Sequence, residues 1–349
     1  MRIQAIQQSM AELGVRRFLI SDPKAIEYVL GKRFHVSERF LACLFQDEEV
    51  VLFLNRLFPY ENEAIEIVRF HDIDDPTLLL TQRLNGPDLS IDRQFASGFL
   101  LKCLKHRPDL NVSDGSFIVD RIRARKSKDE QAKMLLASQI NDAVMGEVVD
   151  RLRVGVSEVD IAAFIRRRFD ELADGVSFDP IVAFGSSTAD PHAQCQDRKL
   201  EEGMPIIIDM GCIKDGYCSD MTRSFSLKKP WNQEIYDTVK EANLAGIRAV
   251  KPGVRLSEID YAARKVIEEK GYGACFIHRL GHGIGTDVHE PFDVSGVSDV
   301  VAFEGMVFSI EPGIYLEGQG GVRIEDLVLV TEDGCDVLNA YPKSNEVLP

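Results

Sequence analysis

The chain has 349 residues, 45% hydrophobic and 28% charged, with 41 lysines and arginines against 56 acidic residues and a formal net charge of -15. That length suits one large or two ordinary domains with a sizeable core. The acidic balance argues against a nucleic-acid partner, no segment has the length of a membrane span, and seven scattered cysteines without a CxxC pair fit reduced thiols in a cytoplasm.

The opening stretch MRIQAIQQSMAELGV reads as a polar amphipathic helix ending near Gly14, not as the apolar core of a signal. Arg17 to Ile20 is a short strand, and Asp22-Pro23 opens a helix through Tyr28. Phe40 to Phe45 and Val50 to Leu54 are apolar strands around the turn Gln46-Asp-Glu-Glu49. Leu78 to Leu84 and Phe99 to Leu104 add helical pieces, so residues 1 to about 125 form an α/β unit. His35, His71 and His106 stand alone in it and read as surface or capping residues. Arg121 to Lys128, RIRARKSK, is the densest basic patch and reads as a linker or a solvated helix start.

From Ser127 the texture changes to long helices. Asp129 to Val154 is helical in period, and Ser157 caps another helix. Strand and loop follow from Gly175 to Asn232, and then the order repeats. Ser157-Glu-Val-Asp-Ile-Ala-Ala163 matches Ser257-Glu-Ile-Asp-Tyr-Ala-Ala263, where the second helix starts at Ser257. Glu202-Gly-Met204 precedes Asp209-Met-Gly211, and Glu304-Gly-Met306 precedes Glu311-Pro-Gly313. Two matched halves imply a duplicated unit of two helices and a hairpin with pseudo-twofold symmetry.

In the first half Pro205 to Ile208 is a buried strand with Asp209 at its end. Tyr217 to Asp220 reads as the strand returning after the turn Lys214-Asp-Gly216. The hairpin brings two carboxylates together. They share a proton, hold cations, or are a satisfied core aspartate beside a strand-end aspartate. The repeat gives Glu311, after the strand Met306 to Ile310, the role of Asp209. Glu325, on the next strand from Gly321, takes that of Asp220. Four converging carboxylates repel one another unless cations compensate. With one imidazole they suit two divalent cations. The imidazole candidate is His282 in Leu280-Gly-His-Gly-Ile-Gly285, where glycines permit close approach and tight turning. His289-Glu-Pro291 is no HExxH helix, since Pro291 interrupts it. His192, in Asp190-Pro-His192, occupies the comparable loop of the first half, so His192 and His289 read as substrate-side groups.

Asp209, Asp220, His282, Glu311 and Glu325 with their motifs resemble the ligand set of the pita-bread metallopeptidases. That family includes methionine aminopeptidase, aminopeptidase P, prolidase and the metal-free creatinase. The resemblance is strong over about residues 127 to 345 and weaker in the N-terminal part, which resembles a creatinase-type domain. Phe276-Ile-His-Arg279, His289-Glu-Pro291 and Val322-Arg-Ile-Glu-Asp326 favour the proline-specific branch. Phe292 departs from it, standing where relatives often carry a second proline.

The resemblance implies an α+β chain: an N-terminal creatinase/prolidase-like α/β domain over 1–125 and a catalytic pita-bread domain with a pseudo-twofold repeat over 126–349. It implies two divalent metal ions (manganese, cobalt, zinc or iron, with manganese favoured). Asp209 would hold one metal, His282 and Glu311 the other, and Asp220 and Glu325 would bridge them. Glu311 would shuttle protons, His192 and His289 would meet the substrate and the tetrahedral intermediate, and Arg323 would bind substrate or orient a ligand carboxylate. The implied activity is hydrolysis of the bond before proline in Xaa-Pro dipeptides or short peptides, by a cytoplasmic homodimer whose N-terminal domain shapes the cleft. An aminopeptidase P acting on longer peptides, a metal-independent creatinase-like hydrolase, and a binding module that has lost catalysis remain as alternatives.

Overall fold

The computed structural model describes residues 2–344, together with the backbone of Val347 and Leu348. The chain divides into two compact units, Met1–Arg123 and Ala124–Pro349. The first is a six-stranded sheet. In chain order it comprises α1 (Arg2–Glu12), β1 (Arg17–Ile20), α2 (Pro23–Leu30), β2 (Leu41–Gln46), β3 (Glu49–Asn55), β4 (Glu66–Phe70), α3 (Pro76–Arg83), β5 (Asp88–Ile91), α4 (Ser97–His106), β6 (Asn111–Asp114) and α5 (Ser116–Ala124), which runs to the unit boundary. The strand order is β4-β3-β2-β1-β5-β6. β1, β2 and β3 read as continuous apolar runs because both faces of the sheet are covered. Cys43, Phe45, Leu52 and Leu54 pack on one side with α1, α2 and α5, while Ala42, Leu44, Val51 and Phe53 pack on the other with α3 and α4. The remaining strands β4, β5 and β6 are short and mix polar with apolar residues. Sequence periodicity passes over them, and parallel pairing to β3, β1 and β5 creates them.

The second unit holds two related halves. The first contains α6 (Lys128–Val149), α7 (Glu158–Leu172), β7 (Ile181–Phe184), β8 (Pro205–Met210), β9 (Ile213–Lys214), β10 (Tyr217–Cys218) and β11 (Met221–Leu227). The second contains α8 (Gln233–Ala249), α9 (Leu256–Glu269), β12 (Gly281–Gly283), β13 (Glu290–Val294), β14 (Val307–Ile310), β15 (Gly313–Leu316), β16 (Gly320–Arg323), β17 (Asp326–Val330) and β18 (Cys335–Val337). β19 (Val347–Leu348) pairs with β11. Each half packs two helices on an antiparallel sheet around its own apolar core. The symmetry extends to single hydrogen bonds. Asn141 on α6 donates to Met210 O (2.8 Å), and Asn243 on α8 donates to Ile310 O (2.9 Å). Each asparagine ties a helix to the end of the strand that leads into the carboxylate cluster.

Three expectations are corrected. The SEVDIAA/SEIDYAA match is two residues out of structural register. Gly155 and Gly253 have the same left-handed φ (88° and 86°), and the bridges that follow them are Ser157 to Lys199 and Arg255 to Val301. Ser157 therefore corresponds to Arg255, not to Ser257. Ser157 caps α7 by accepting from Asp160 N, whereas α9 starts at Leu256 after Arg255, with no side-chain cap. Tyr217–Asp220 is not one returning strand. β9 and β10 form a small ribbon through the positive-φ pair Asp215 and Gly216, a geometry that suits tight hairpins. The strand that pairs with β8 is β11, with Thr222 opposite Asp209. Asp220 falls in the break between β10 and β11, and Glu325 falls in the break between β16 and β17. The basic stretch connects the end of α5 to the exposed start of α6, as a linker does, although Arg123 and Lys126 within it are buried.

The capping difference is testable. Ser157→Ala should cost about 1 kcal/mol, the usual worth of an N-cap. Ser257→Ala should stay within about 0.5 kcal/mol. Urea midpoints of the two variants decide the matter, and equal losses would restore the sequence register.

Candidate active site

Asp209 lies on β8, and its Oδ2 accepts from Arg323 Nη2 at 2.7 Å. Glu325 Oε2 accepts from the Thr222 hydroxyl at 2.8 Å, and its amide donates to Thr222 O. Thr222 thus links the first half of the unit to the second. Glu311 follows β14 and accepts from the Ser309 hydroxyl at 3.1 Å. His282 sits on β12, so the Gly-His-Gly segment is a strand and not a turn. Its glycines serve close approach: a Cβ on Gly281 would lie 1.9 Å from Ser309 O, and one on Gly283 would lie 2.3 Å from Pro291 O. His282 Nδ1 faces Gly283 O at 3.1 Å. A carbonyl only accepts, so Nδ1 carries the proton and Nε2 is left with a lone pair. That atom lies 3.3 Å from Glu311 Oε1 and 3.7 Å from Asp220 Oδ2.

Asp209, Asp220, Glu325 and His282 are buried. Burial first, and then the charges of the neighbouring acids, push the carboxyls of Asp220 and Glu325 well above the usual range. Burial also raises Glu311, against the pull of His278 and Arg323. Burial lowers His282 to about 4 and His289 to about 4. Asp209 Oδ1, Asp220 Oδ1 and Glu325 Oε1 are buried with no hydrogen-bond donor among the described residues. A buried acceptor left unmatched is costly, and three in one place fit a cation better than they fit a folded core. One ligand atom each from Asp220, His282 and Glu325 lie mutually within 4.8 Å. The donor set of carboxylates and one imidazole suits divalent transition metals.

All eight residues singled out from the sequence line one cavity of about 530 Å³: Asp209, Asp220, His282, Glu311 and Glu325, with His192, His289 and Arg323. Phe178, Ile181, Pro191 and Val288 supply apolar wall. His192 is exposed, while the His289 ring stands edge-on to His282 with centroids 4.3 Å apart. Two residues escaped the sequence reading. His278 lines the cavity, with Nδ1 donating to Arg279 O (2.7 Å) and Nε2 accepting from the Tyr315 hydroxyl (3.0 Å). Tyr315 in turn accepts from Arg323 Nη1 at 3.1 Å. One arginine therefore orients both Asp209 and, through Tyr315, His278. His278 was visible only as part of the Phe276–Arg279 motif, because a histidine preceding a glycine-rich strand carries no spacing signal of its own.

Residues 132–332 match the profile of metallopeptidase family M24, and residues 2–125 match that of the creatinase/prolidase N-terminal domain. An uncharacterized peptidase of Staphylococcus aureus (strain USA300) is 38% identical over 339 residues, covering 93% of this chain and 94% of the relative. Among solved structures, a dipeptidase from Pyrococcus horikoshii OT3 is 34% identical with a TM-score of 0.88, covering 98% of each chain. A prolidase from Thermococcus sibiricus is 32% identical with a TM-score of 0.89, covering 98% of this chain and 96% of that one.

The clustered carboxyls give a signed pH prediction for protein freed of divalent cations by a chelator. Carboxyls with raised folded pKa values contribute stability below their ordinary values of 3.8 and 4.5, and they lose it as pH rises through the folded values. Glu325→Gln should therefore gain on the parent as pH rises above that range, read as the difference in urea midpoint. A variant that loses ground with rising pH would contradict the electrostatic account of the cluster.

Proposed function

Since the chain belongs to metallopeptidase family M24, we propose that it hydrolyses the peptide bond before proline in Xaa-Pro dipeptides and short peptides, with two divalent cations, manganese favoured. The observation that carries this reading is the set of three buried, donorless carboxylate oxygens facing one cavity beside the Nε2 lone pair of His282. Asp209 would hold one cation and His282 with Glu311 the other, with Asp220 and Glu325 shared between them. Bound there, the cations supply Lewis acidity toward water and toward the scissile carbonyl.

The chain's own side chains do the rest. Glu311 is the least buried of the four acids, its side chain 17% exposed, which suits it to carry a proton from the attacking water to the leaving nitrogen. His192 and His289 project from separate loops and donate hydrogen bonds to the substrate and to the charge that develops on its carbonyl oxygen. Arg323 holds Asp209 in place and closes the cavity wall beside the bound peptide. The bond before proline has no amide hydrogen, so recognition falls to the wall of Phe178, Ile181 and Val288. The cavity volume lies in the range of small-molecule sites, about 300–1,000 Å³, which favours dipeptides over long chains. The similarity to a prolidase supports the same substrate class. The seven free thiols fit a reducing cytoplasm, and a symmetric dimer is the assembly we expect. A metal-independent reaction on this fold is disfavoured, because it would leave the three buried carboxylate oxygens without a partner.

Hydrolysis of Xaa-Pro dipeptides against Xaa-Pro-Yaa tripeptides, in manganese-supplemented buffer, tests the specificity. Preference for the tripeptide would make the enzyme an aminopeptidase P. Asp220→Ala and Glu325→Ala should each lose bound metal and nearly all turnover; metal analysis that found a normal complement would remove the shared-ligand assignment. His192→Ala and His289→Ala should keep their metal while turnover falls by about 10²-fold, the usual worth of a donor to developing charge.

A further inference from the structure

The catalytic unit contains two buried charges that the chemistry above does not use. The Lys126 and Glu290 side chains are each 2% exposed, and Nζ meets Oε2 at 3.0 Å. An ion pair sunk this deep is seldom more stabilising than apolar side chains of the same volume, so its place in the fold calls for another reason. The pair joins three sequence features that the metal centre leaves over: the basic stretch Arg121 to Lys128, the last glycine of Gly281–Gly285, and the glutamate of His289-Glu-Pro291.

The second oxygen of Glu290, Oε1, accepts from Thr286 N (3.0 Å), Thr286 Oγ1 (3.1 Å) and Asp287 N (3.4 Å). These donors belong to the turn that leads from the His282 strand to His289. Gly285 lets the carboxylate approach, since a Cβ there would lie 2.6 Å from Oε2. The Gly285 carbonyl accepts from Cys218 N at 2.7 Å, two residues before Asp220. Lys126 is anchored at its own backbone: its amide donates to Gly305 O (2.8 Å), and its carbonyl accepts from Gln131 Nε2 (2.8 Å). The ammonium is therefore a fixed point, and the turn hangs from it through Glu290.

We propose that Lys126 and Glu290 are a positioning pair that clamps the turn at residues 286–289 and so presents the His289 imidazole to the substrate from a fixed place beside His282. This rests on the reading of His289 as a substrate-side donor, and neither member of the pair touches substrate. A donor misplaced by about 1 Å can cost on the order of 10²-fold in rate, so the pair controls turnover through His289 and leaves the metal ligands alone.

A double-mutant cycle on Xaa-Pro hydrolysis by the metal-loaded protein tests this. Lys126→Met should lower kcat about 10- to 100-fold, the range seen when a supporting residue is removed from a metal site, with bound metal unchanged and most activity kept in Lys126→Arg. In a His289→Ala background the same Lys126→Met change should lower kcat by less than about twofold, because the residue it acts through is gone. An equal fall in both backgrounds, or loss of metal, overturns the positioning role while leaving His289 its own. A His289→Ala enzyme with normal kcat overturns the reading of His289 instead. Lys126→Met takes the ammonium from a buried carboxylate, so if it does not fold, Lys126→Met with Glu290→Gln, neutral on both sides, carries the same comparison.

Discussion

Four carboxylates and the His282 imidazole share a single cavity, and three of the carboxylate oxygens there have no hydrogen-bond donor among the described residues. Packing like charges together in a buried place opposes folding, both through desolvation and through mutual repulsion. Much of the catalytic unit can be understood as the framework that holds this arrangement. Arg323 neutralises Asp209 from the cavity wall. Behind the cluster, the wholly buried Arg223 donates to Thr222 O and Glu325 O, which fixes the backbone just after Asp220 and at Glu325. Asp326 neutralises Arg223 and is itself met by Lys343, both at 2.8 Å or less.

The pseudo-twofold repeat is what makes such a cluster attainable. Each half alone carries one acid on or just after a buried strand and one in a break between strands. Asn141 and Asn243 tie the two strand ends to their helices in the same way. Thr222 then joins the halves, with its carbonyl taking the Glu325 amide and its hydroxyl donating to the Glu325 side chain. Two units, each tolerable by itself, are thereby held face to face with their carboxylates converging. The halves differ where the chemistry differs: the second supplies His282 and the turn that carries His289, and the first supplies His192 on an exposed loop.

The breaks in the strands follow from the same requirement. A residue inside a regular ladder points alternately to one face or the other, and its neighbours occupy the space around it. Asp220 and Glu325 sit instead where one strand ends and another begins, and both line the cavity. Sequence periodicity reads Tyr217–Asp220 and Gly321–Glu325 as strands, because it registers apolar alternation and not the point at which pairing stops.

By itself the sequence determined which residues to expect at the site. Acids on or after buried apolar strands, recurring about a hundred residues later, and one histidine between glycines singled out Asp209, Asp220, Glu311, Glu325 and His282; loop position added His192 and His289, and only the family resemblance added Arg323. It also determined the strong elements of the N-terminal unit, where β1 to β3 are long apolar runs. The tertiary structure alone decided the register of the repeat, since the SEVD and SEID match is overruled by the backbone pairing of Ser157 and Arg255. It decided the strands β4, β5 and β6, which exist by pairing and not by propensity. It decided that Lys126 is buried against Glu290, and that His278 joins the site through Tyr315 and Arg323. Each of these depends on partners distant in the chain, and a contact between distant residues leaves no periodicity for a single sequence to reveal.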